Sequence, residues 1–274
     1  MLNFVIGLVL SFIISFYAYR KKSLTLSGVA GAMALGASLY FFGGFLFFTI
    51  LIAFFVSSTL LTKFKKSEKK DTEIIAEKSE RRDYSQVIAN GLPAFLTAFL
   101  YYITQNHIFM LGFAVSMASS NSDTWASELG VLSKNQPVSI LTWKRIKKGM
   151  SGGISLLGTL ASLLGSLVIS LIFTIGYALK YGAGITFKNI VFAFAVCFLG
   201  GFIGSIIDSL LGASVQALYY CEKLKIYTER RFFDESENKL VKGVKFMNNN
   251  MVNFLSGLLA SLLSMVLFIL TVNI

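Results

Sequence analysis

The stretch GFLFFTILIAFFVSSTLLT, residues 44–62, decides the fold because it runs for nineteen residues without a charged side chain. A helix needs about 20 predominantly apolar residues to cross a bilayer. Comparable runs recur along the 274 residues, of which 55% are hydrophobic and only 14% are charged. A soluble domain carries about 25% charged residues. The composition therefore excludes an ordinary soluble protein and predicts a polytopic helical membrane protein.

We predict an all-α fold, a polytopic transmembrane helical bundle of about eight spans, which forms a single integral membrane domain over residues 1–274. The predicted spans are residues 2–19, 26–42, 44–62, 86–104, 107–120, 153–179, 189–216 and 251–272. The fifth span is the shortest and ends in a polar motif. Because no basic segment precedes the first span, we expect it to be a retained helix rather than a removed signal peptide.

The distribution of basic residues predicts how these spans are oriented. With eight spans, all of the 25 Lys and Arg residues except Lys180 and Lys188 fall on one side of the membrane. The positive-inside rule makes that side cytoplasmic, so both termini lie on the non-cytoplasmic side. The cytoplasmic loops are then about residues 63–85, 121–150 and 217–250. The net charge of +11 belongs to a surface that attracts anions. Since these cations lie next to the membrane, we expect no nucleic-acid partner.

The longest charged connection is KFKKSEKKDTEIIAEKSERRD, residues 63–83, which mixes eight basic with six acidic residues. We interpret its middle as a solvated amphipathic helix or a flexible linker, which charge runs of this kind usually form. Directly after it, Gln86 and Asn90 are four residues apart. In a helix they share one face at the cytoplasmic entrance.

Three acids stand outside the charged loops at 63–83 and 222–237, namely Asp123, Glu128 and Asp208. The first two belong to ASSNSDTWASELG, residues 118–130, where five hydroxyl side chains and an Asn accompany them. Carboxylates beside hydroxyls and amides are the ligands that a hard cation such as Mg²⁺ prefers. Neither paired Cys nor a His cluster indicates zinc. We therefore predict that these three acids hold Mg²⁺, and they are also our candidate catalytic residues.

The seventh span has an unusual pattern, because Gly200, Gly204, Asp208, Gly212 and Gln216 recur at every fourth residue. A carboxylate among glycines lies where helices approach closely and where a ligand has space. An ionisable side chain at membrane depth is costly and is functional by default. The alternative is that Asp208 only caps an interrupted helix or pairs with a lysine.

A further group of residues has the character of an anion site. The basic run KRIKKGMSGG, residues 144–153, ends in a glycine pair where the sixth span begins. A helix N-terminus with glycines presents backbone N–H groups to an anion, and metal ligands beside phosphate ligands describe a nucleotide or diphosphate site. The predicted substrate-binding and nucleotide-binding residues are Asn121, Ser122, Thr124, Lys144, Arg145, Lys148, Ser151, Gly152, Gly153, Ser209, Gln216, Asn249, Asn253, Lys22, Arg82, Gln86 and Asn90.

Four motifs carry a family resemblance: SNSDTWASELGVLSK (120–134), GMSGGISLLGTLAS (149–162), GSIIDSLLGASVQ (204–216) and NNNMVNFLS (248–256). With KKSLTLSGVAGA (21–32) and SQVIANG (85–91) they resemble, over nearly the whole chain, the membrane family called domain of unknown function 92. That family includes transmembrane protein 19 and the plant plastid phytyl-phosphate kinase. The resemblance implies an enzyme that phosphorylates an isoprenoid monophosphate, such as phytyl or geranylgeranyl phosphate, with a nucleoside triphosphate, above all CTP. One departure is Met150-Ser151, where relatives often carry Thr-Asn, so an amide is missing there.

The expected partners are a nucleoside triphosphate, an isoprenoid phosphate lipid and membrane lipids, with a homo-oligomer left open. We expect an integral protein of a prokaryotic cell membrane with its active site facing the cytoplasm, because the first span begins at the N-terminus without a transit segment. The alternative function is a transporter or flippase of an anionic lipid or small anionic solute, since Asp123 and Asp208 in comparable Gly-interrupted helices suit broken-helix repeats. A third hypothesis, a purely structural membrane partner, leaves Asp208 unexplained.

Overall fold

The computed structural model describes residues 2–76 and 81–272. Within these residues the helices are α1 (Leu2–Arg20), α2 (Leu26–Gly43), α3 (Phe45–Lys63), α4 (Lys66–Glu73), α5 (Tyr84–Thr104), α6 (His107–Gly130), α7 (Leu156–Tyr181), α8 (Phe187–Ser214) and α9 (Asn249–Val272). Each predicted span coincides with one long helix. All the long helices except α6 are also apolar enough to cross a membrane. The all-α polytopic helical class is therefore confirmed, whereas the direction in which the termini face stays a prediction.

Helix α6 differs from the fifth predicted span, which we expected to end at residue 120. It continues through the polar motif to Gly130. The reason is its position, because α6 packs against α3, α5, α7, α8 and α9 and every residue from Met110 to Asp123 is buried. Tertiary packing of this kind outweighs the weak helix propensity of Ser, Asn, Asp and Thr.

The start of α7 also differs from the prediction. The helix begins at Leu156, and its cap is Ser155, whose Oγ accepts a hydrogen bond from Gly158 N at 3.1 Å. A Ser side chain in this position satisfies one of the unpaired N–H groups of a first turn. The glycine pair at 152–153 therefore lies in the preceding loop and not in the helix N-terminus.

The loops that carry most of the basic residues meet at one end of the bundle, which we call the polar end. There Lys63 Nζ donates to Lys21 O at 2.9 Å, and Thr25 N donates to Arg82 O at 3.0 Å. The interior of the bundle away from this end is apolar and aromatic, and the rings of Phe47 and Phe113 stack there with centroids 4.0 Å apart. Polar and apolar interiors thus occupy different depths of the same bundle.

Small antiparallel sheets occupy the loops at the polar end. One joins β1 (Val138–Ser139) to β2 (Gly153–Ile154). A second has the order β4-β3-β7, formed by β3 (Leu218–Cys221), β4 (Ile226–Thr228) and β7 (Lys239–Lys242), and a hairpin joins β5 (Phe232–Phe233) to β6 (Ser236–Glu237). The sequence analysis predicted only loops here. We call residues 66–76 and 218–242 together the cap.

The two parts of the cap are joined by hydrogen bonds. Glu229 N donates to Ile75 O at 2.8 Å, and Arg230 Nε donates to Ala76 O at 3.1 Å. The middle of the segment 63–83 does contain a helix, α4, but it is not a fully solvated one, because Lys69 is only 5% exposed. Residues 77–80 of that segment lie outside the described residues. The cap is therefore an ordered cover over the polar end.

Candidate functional site

A cavity of about 470 Å³ opens at the polar end between α6, α7, α8 and the cap. Its wall includes Asp123 from α6 and both Asp208 and Ser209 from α8. On α7 the lining residues run from Ser155 to Ser162, so the cavity reaches about 10 Å into the bundle at about 1.5 Å per residue. A concave space of this size with convergent polar groups is the default location of a ligand site.

Asp208 is held in place by α9. Its Oδ2 accepts a hydrogen bond from Ser256 Oγ at 3.1 Å. With the Asn253 amide oriented so that its nitrogen faces Asp208, that nitrogen donates to Oδ2 at 3.0 Å; this orientation is assigned from the hydrogen bonds. Asn253, predicted to bind substrate, thus contacts the carboxylate instead, while Asn249 lies on the cavity wall. The N-terminal turns of α9 therefore fix the direction of the Asp208 carboxylate.

Asp123 is mostly buried and faces the cavity, but the polar residues beside it do not. Asn121 Oδ1 accepts from Ser57 Oγ at 2.9 Å, and its Nδ2 donates to Gly165 O at 2.8 Å. Ser122 Oγ donates to Ser162 O at 2.8 Å. These bonds fasten α6 to α3 and α7. The binding role that we predicted for Asn121 and Ser122 is therefore replaced by a role in helix packing.

Thr124 does not reach the cavity wall either. Its Oγ1 donates to Ser120 O, one turn earlier on α6, at 2.8 Å. A threonine inside a helix commonly satisfies its hydroxyl in this way. Its predicted contact with substrate therefore lacks a structural basis.

Glu128 lines the cavity but is already paired. Lys69 Nζ lies 2.7 Å from Glu128 Oε2, and Thr62 Oγ1 donates to Oε1 at 2.8 Å. Both carboxylate oxygens are therefore engaged, and the third metal ligand predicted from the sequence is not favoured. Within the described ranges, moreover, no three His, Cys, Asp or Glu side chains are grouped closely enough to hold a metal.

The loop before α7 forms part of the cavity wall and packs against the end of α8. Gly149 and Gly152 adopt φ angles of +85° and +78°, a region that favours glycine. A Cβ on Gly152 would also lie 2.7 Å from Ala213 N of α8. Ser151 N donates to Glu229 Oε1 at 3.0 Å. The loop thus lines the cavity, and an acid of the cap accepts the N–H of Ser151.

The basic residues of this loop divide into two groups. Lys148 lines the cavity and donates to Ser133 O. Lys144 and Arg145 are exposed and lie outside the cavity wall, because their backbone atoms pair with β1. Of the three cations of this loop that we predicted to bind substrate or nucleotide, only Lys148 lines the cavity.

Three other predicted residues surround a second, smaller cavity of about 60 Å³ between α1, α2, α3 and α5: Arg82, Gln86 and Asn90. The Arg82 guanidinium lies over the rings of Phe54 and Phe55, 5.6 and 5.9 Å from their centroids. Burial lowers the pKa of Arg82 and the charge of Glu128 raises it in opposition, yet an arginine stays charged at neutral pH. These residues do not line the cavity that Asp123 and Asp208 face.

Two further predicted residues lie outside both cavities. Lys22 is exposed at the polar end. Gln216 is buried, and its Nε2 finds no hydrogen-bond partner within the part of the chain that the structure describes. Ser209, in contrast, lines the main cavity, and its predicted contact with substrate stays a prediction.

Sequence reasoning missed two charged residues of the site. Lys69 is one of many cations in the segment 63–83, and Glu229 is one of several acids in the loop 217–250. Their neighbours in sequence carry no signal that distinguishes them, because both positions depend on the folded cap. The side chains of the wall that carry formal charge are Asp123, Glu128, Asp208, Glu229, Lys69 and Lys148. Among the described residues this leaves an excess of two negative charges on the wall, which favours a cation among the ligands.

Comparison with known proteins places this architecture in a family. The chain matches the family model described as integral membrane protein DUF92 over residues 9–261. Protein PGR of Arabidopsis thaliana is 32% identical over 277 residues, which cover 95% of this chain and 94% of that protein. An uncharacterized membrane protein of Methanocaldococcus jannaschii is 35% identical, across 71% of this chain and 75% of its own length. Protein VTE6, chloroplastic, of A. thaliana is 30% identical, across 89% of this chain and 65% of its own length.

No solved structure matches the chain. The family match spans the four motifs at 120–134, 149–162, 204–216 and 248–256, so it includes the residues that bring Asp123 and Asp208 to the cavity. The resemblance predicted from those motifs is confirmed. The chain belongs to the integral membrane protein DUF92 family.

Proposed function

We propose that this protein is a membrane-embedded kinase that transfers a phosphoryl group from a nucleoside triphosphate, CTP in the first instance, to an isoprenoid monophosphate. The observation that carries the proposal is that Asp123 and Asp208 face one cavity whose deeper wall includes the apolar side chains Phe202 and Ile206. Such a cavity suits a lipid that has its phosphate at the membrane edge and its chain in the membrane. The family resemblance to a phytyl-phosphate kinase supports the same reaction class.

The proposed reaction needs positioning and charge compensation more than acid–base chemistry. An oxygen of the lipid phosphate attacks the γ-phosphorus, the bond from that phosphorus to the β,γ-bridging oxygen breaks, and the nucleoside diphosphate leaves. A phosphate monoester has its second pKa at about 6, so at neutral pH the attacking oxygen is already deprotonated. Phosphoryl transfer of this type depends mainly on in-line positioning and electrostatic stabilisation.

We assign the phosphate contacts to the loop before α7. Lys148 supplies a positive charge on the cavity wall, and a lysine binds phosphate as a point charge. The N–H of Ser151 already faces a carboxylate, Glu229 Oε1, at 3.0 Å, which supports its assignment to an anionic ligand. The glycine conformation at Gly152 lets the backbone approach a phosphate without a side chain in between.

We assign Asp123 and Asp208 as the residues that hold Mg²⁺. The donor set on this wall consists of oxygens, including the hydroxyls of Ser205 and Ser209, and this chemistry fits a hard cation. Mg²⁺ commonly binds one or two carboxylates together with substrate phosphates and water, so a third acid is not required. When bound, the ion would neutralise charge on the transferring phosphoryl group. Asn253 and Ser256 would keep Asp208 aimed at it, as positioning residues.

The transporter alternative has less support. A transporter needs a polar path that both sides of the membrane can reach. Here the polar residues of the cavity lie at the polar end, and the interior beyond them is filled by large apolar side chains such as Phe113 and Phe173, both 1% exposed or less. A one-ended cavity favours an enzyme whose substrates enter and leave from the same face.

A phosphoryl-transfer assay tests the proposal. Purified protein is incubated with γ-labelled CTP, ATP, GTP or UTP, and with phytyl or geranylgeranyl phosphate, and the lipid products are separated. We expect labelled prenyl diphosphate with wild type and almost none with Asp123→Asn. Asp234→Asn is the matched control, because it makes the same chemical change at an exposed turn that does not line the cavity. Absence of labelled diphosphate with every nucleotide would reject the kinase.

A further inference from the structure

The cavity changes character with depth between α7 and α8. Two turns below the start of α7 the wall consists of Thr159, Ser162, Phe202, Ser205 and Ile206, none of which is charged. Asp208 stands six residues after Phe202 on α8, about 9 Å higher at about 1.5 Å per residue. The deep part carries no charge and includes two large apolar side chains, Phe202 and Ile206, so the lipid chain would begin beside these two residues while the charged part above them suits phosphate.

The deep part ends on a closed floor. Ser166 Oγ of α7 donates to Phe198 O of α8 at 2.6 Å. At the same level Gly201 is so close to its neighbours that an added Cβ would collide with Ser166 Oγ and with Ala118 Cβ of α6. Three helices therefore touch just below Phe202. A hydrocarbon chain cannot continue from the cavity into the centre of the bundle without moving a backbone.

The side of the cavity is less closed than its floor. Phe202, Thr159 and Ile206 line the cavity and are half-buried, and residues directly next to two of them in sequence lie on the outer surface of the bundle. Their neighbours Leu160 and Ile203 are 50% and 44% exposed. Large apolar side chains on the outside of a transmembrane bundle face lipid. The boundary between cavity and bilayer at this position is thus a single layer of side chains.

The volume of the cavity also limits how much of the lipid chain can lie inside it. A pocket for one drug-sized molecule measures about 300–1,000 Å³. At about 470 Å³ the cavity holds the volume of one such molecule, and a nucleoside triphosphate together with a complete geranylgeranyl chain exceeds it. Most of the chain must then lie elsewhere.

We infer that the hydrocarbon chain of the lipid substrate leaves the cavity sideways between α7 and α8, past Phe202, and that most of it lies in the bilayer. This inference rests on the proposed function, and it assigns Phe202 as the residue at the exit. The protein then contacts only the part of the chain next to the phosphate. Its specificity depends on the structure of that part and not on the total chain length.

The first test compares substrates of different length. If the whole chain were bound, each missing methylene would lower kcat/KM, and losing a five-carbon unit would reduce it by more than about tenfold. We expect the kcat/KM values for geranyl, farnesyl and geranylgeranyl phosphates to differ by less than about tenfold for each five-carbon unit. A steep increase of kcat/KM with each added unit overturns the inference.

The second test narrows the exit. Phe202→Trp should lower kcat/KM for the three long substrates several-fold more than for dimethylallyl phosphate, whose chain is too short to reach the exit. Leu171→Trp is the matched control, because that side chain is exposed on α7 and does not line the cavity; we expect no change. An equal loss with all substrates would mean that Phe202 does not mark an exit, and would overturn its assignment.

The third test needs no catalysis. Geranylgeranyl phosphate with a photoreactive diazirine on the second isoprene unit from the phosphate, the part of the chain that passes the exit, is bound to the protein in vesicles and activated by light. We expect labelling at Leu160, Leu199 or Ile203 that excess geranylgeranyl phosphate competes away. Labelling of the interior residues Val115 or Ala118, or no competable labelling, overturns the inference. Labelling at the exit without phosphoryl transfer would support the sideways exit of the chain and would reject only the proposed kinase activity.

Discussion

Lys69 Nζ lies 2.7 Å from Glu128 Oε2, and the two side chains are 6% and 21% exposed. The same nitrogen donates to Leu61 O at 2.7 Å. This ion pair joins the cap to α6 beside the cavity. It also shows what Glu128, the second acid of the motif 118–130, does in the structure: its carboxylate forms an ion pair with a lysine of the cap. A buried charge that loses its partner destabilises a protein strongly.

The first prediction concerns this pair. Glu128→Gln should lower the free energy of unfolding by about 3–5 kcal/mol, because it leaves Lys69 buried without a counter-charge. The double variant Lys69→Met/Glu128→Gln should recover most of that loss. Lys65→Met is the control, since its pair with Glu68 is exposed and contributes about 0–1 kcal/mol. Thermal unfolding in detergent measures all four proteins.

The same double variant decides between two roles of Glu128. If Glu128 only fastens the cap, the folded double variant should keep most of the wild-type activity per molecule. If Glu128 holds Mg²⁺, as the sequence alone predicted, activity should fall by more than about tenfold even where stability recovers. A stable but inactive double variant would therefore show that Glu128 does belong to the metal site.

The second prediction concerns the loop at Gly152. Gly152→Ala should be destabilising, because φ of +78° costs a non-glycine residue about 1–2 kcal/mol and the new methyl group meets Ala213. It should also raise the KM for nucleotide, since the N–H groups of the loop move. Gly182→Ala is the control: Gly182 has a negative φ and open space around its Cβ position. An unchanged KM would remove this loop from the nucleotide site.

The third prediction separates the cations of the basic run. Lys148→Ala should raise the KM for nucleotide by about tenfold or more, because a hydrogen bond to a charged group contributes about 1.5–3 kcal/mol. Arg145→Ala should leave KM unchanged, since Arg145 is exposed and lies outside the cavity wall. Steady-state kinetics of the two purified variants measures the contrast. Equal effects in both would point to a general attraction of anions rather than a specific contact.

The helical bundle could be predicted from the sequence because bilayer crossing imposes a length and a composition on each span. Asp208 could also be found, since a carboxylate in a glycine-rich apolar span is costly and needs a reason. What local sequence does not contain is the partner of a polar side chain. Asn121 has the residue type of a ligand, but it is bonded to Ser57 and Gly165, 64 and 44 residues away. These partners decide its role.

The cap could not be predicted for a related physical reason. Its strands are two to four residues long, too short for an alternating pattern to emerge. Its two halves, residues 66–76 and 218–242, meet only in the folded protein, where Thr228 Oγ1 donates to Ile74 O across 154 residues of sequence. Lys69 and Glu229 acquire their positions from this long-range contact.

The fourth prediction concerns Asp208 and the residues of α9 that hold it. Asp208→Asn should reduce phosphoryl transfer by more than about a hundredfold, because even partners behind a metal ligand typically contribute about 10–100-fold. Ser256→Ala should reduce phosphoryl transfer by about 10–100-fold. The effect is smaller because Ser256 only orients the carboxylate, through a hydrogen bond of 3.1 Å. Asp123→Asn/Asp208→Asn should be little worse than either single variant, because ligands that act as a unit are not additive.

Stability separates this role from a structural one. Replacing the carboxylate by an amide removes a costly charge from a half-buried position inside the bundle, so the melting temperature of Asp208→Asn should stay level or rise. If Asp208 instead stabilised the bundle through Ser256 and Asn253, the melting temperature should drop and the activity per folded molecule should persist. Melting curves and transfer rates are measured on the same detergent-solubilised samples, with Asp234→Asn as control. Retained specific activity in Asp208→Asn would exclude Asp208 from the metal site.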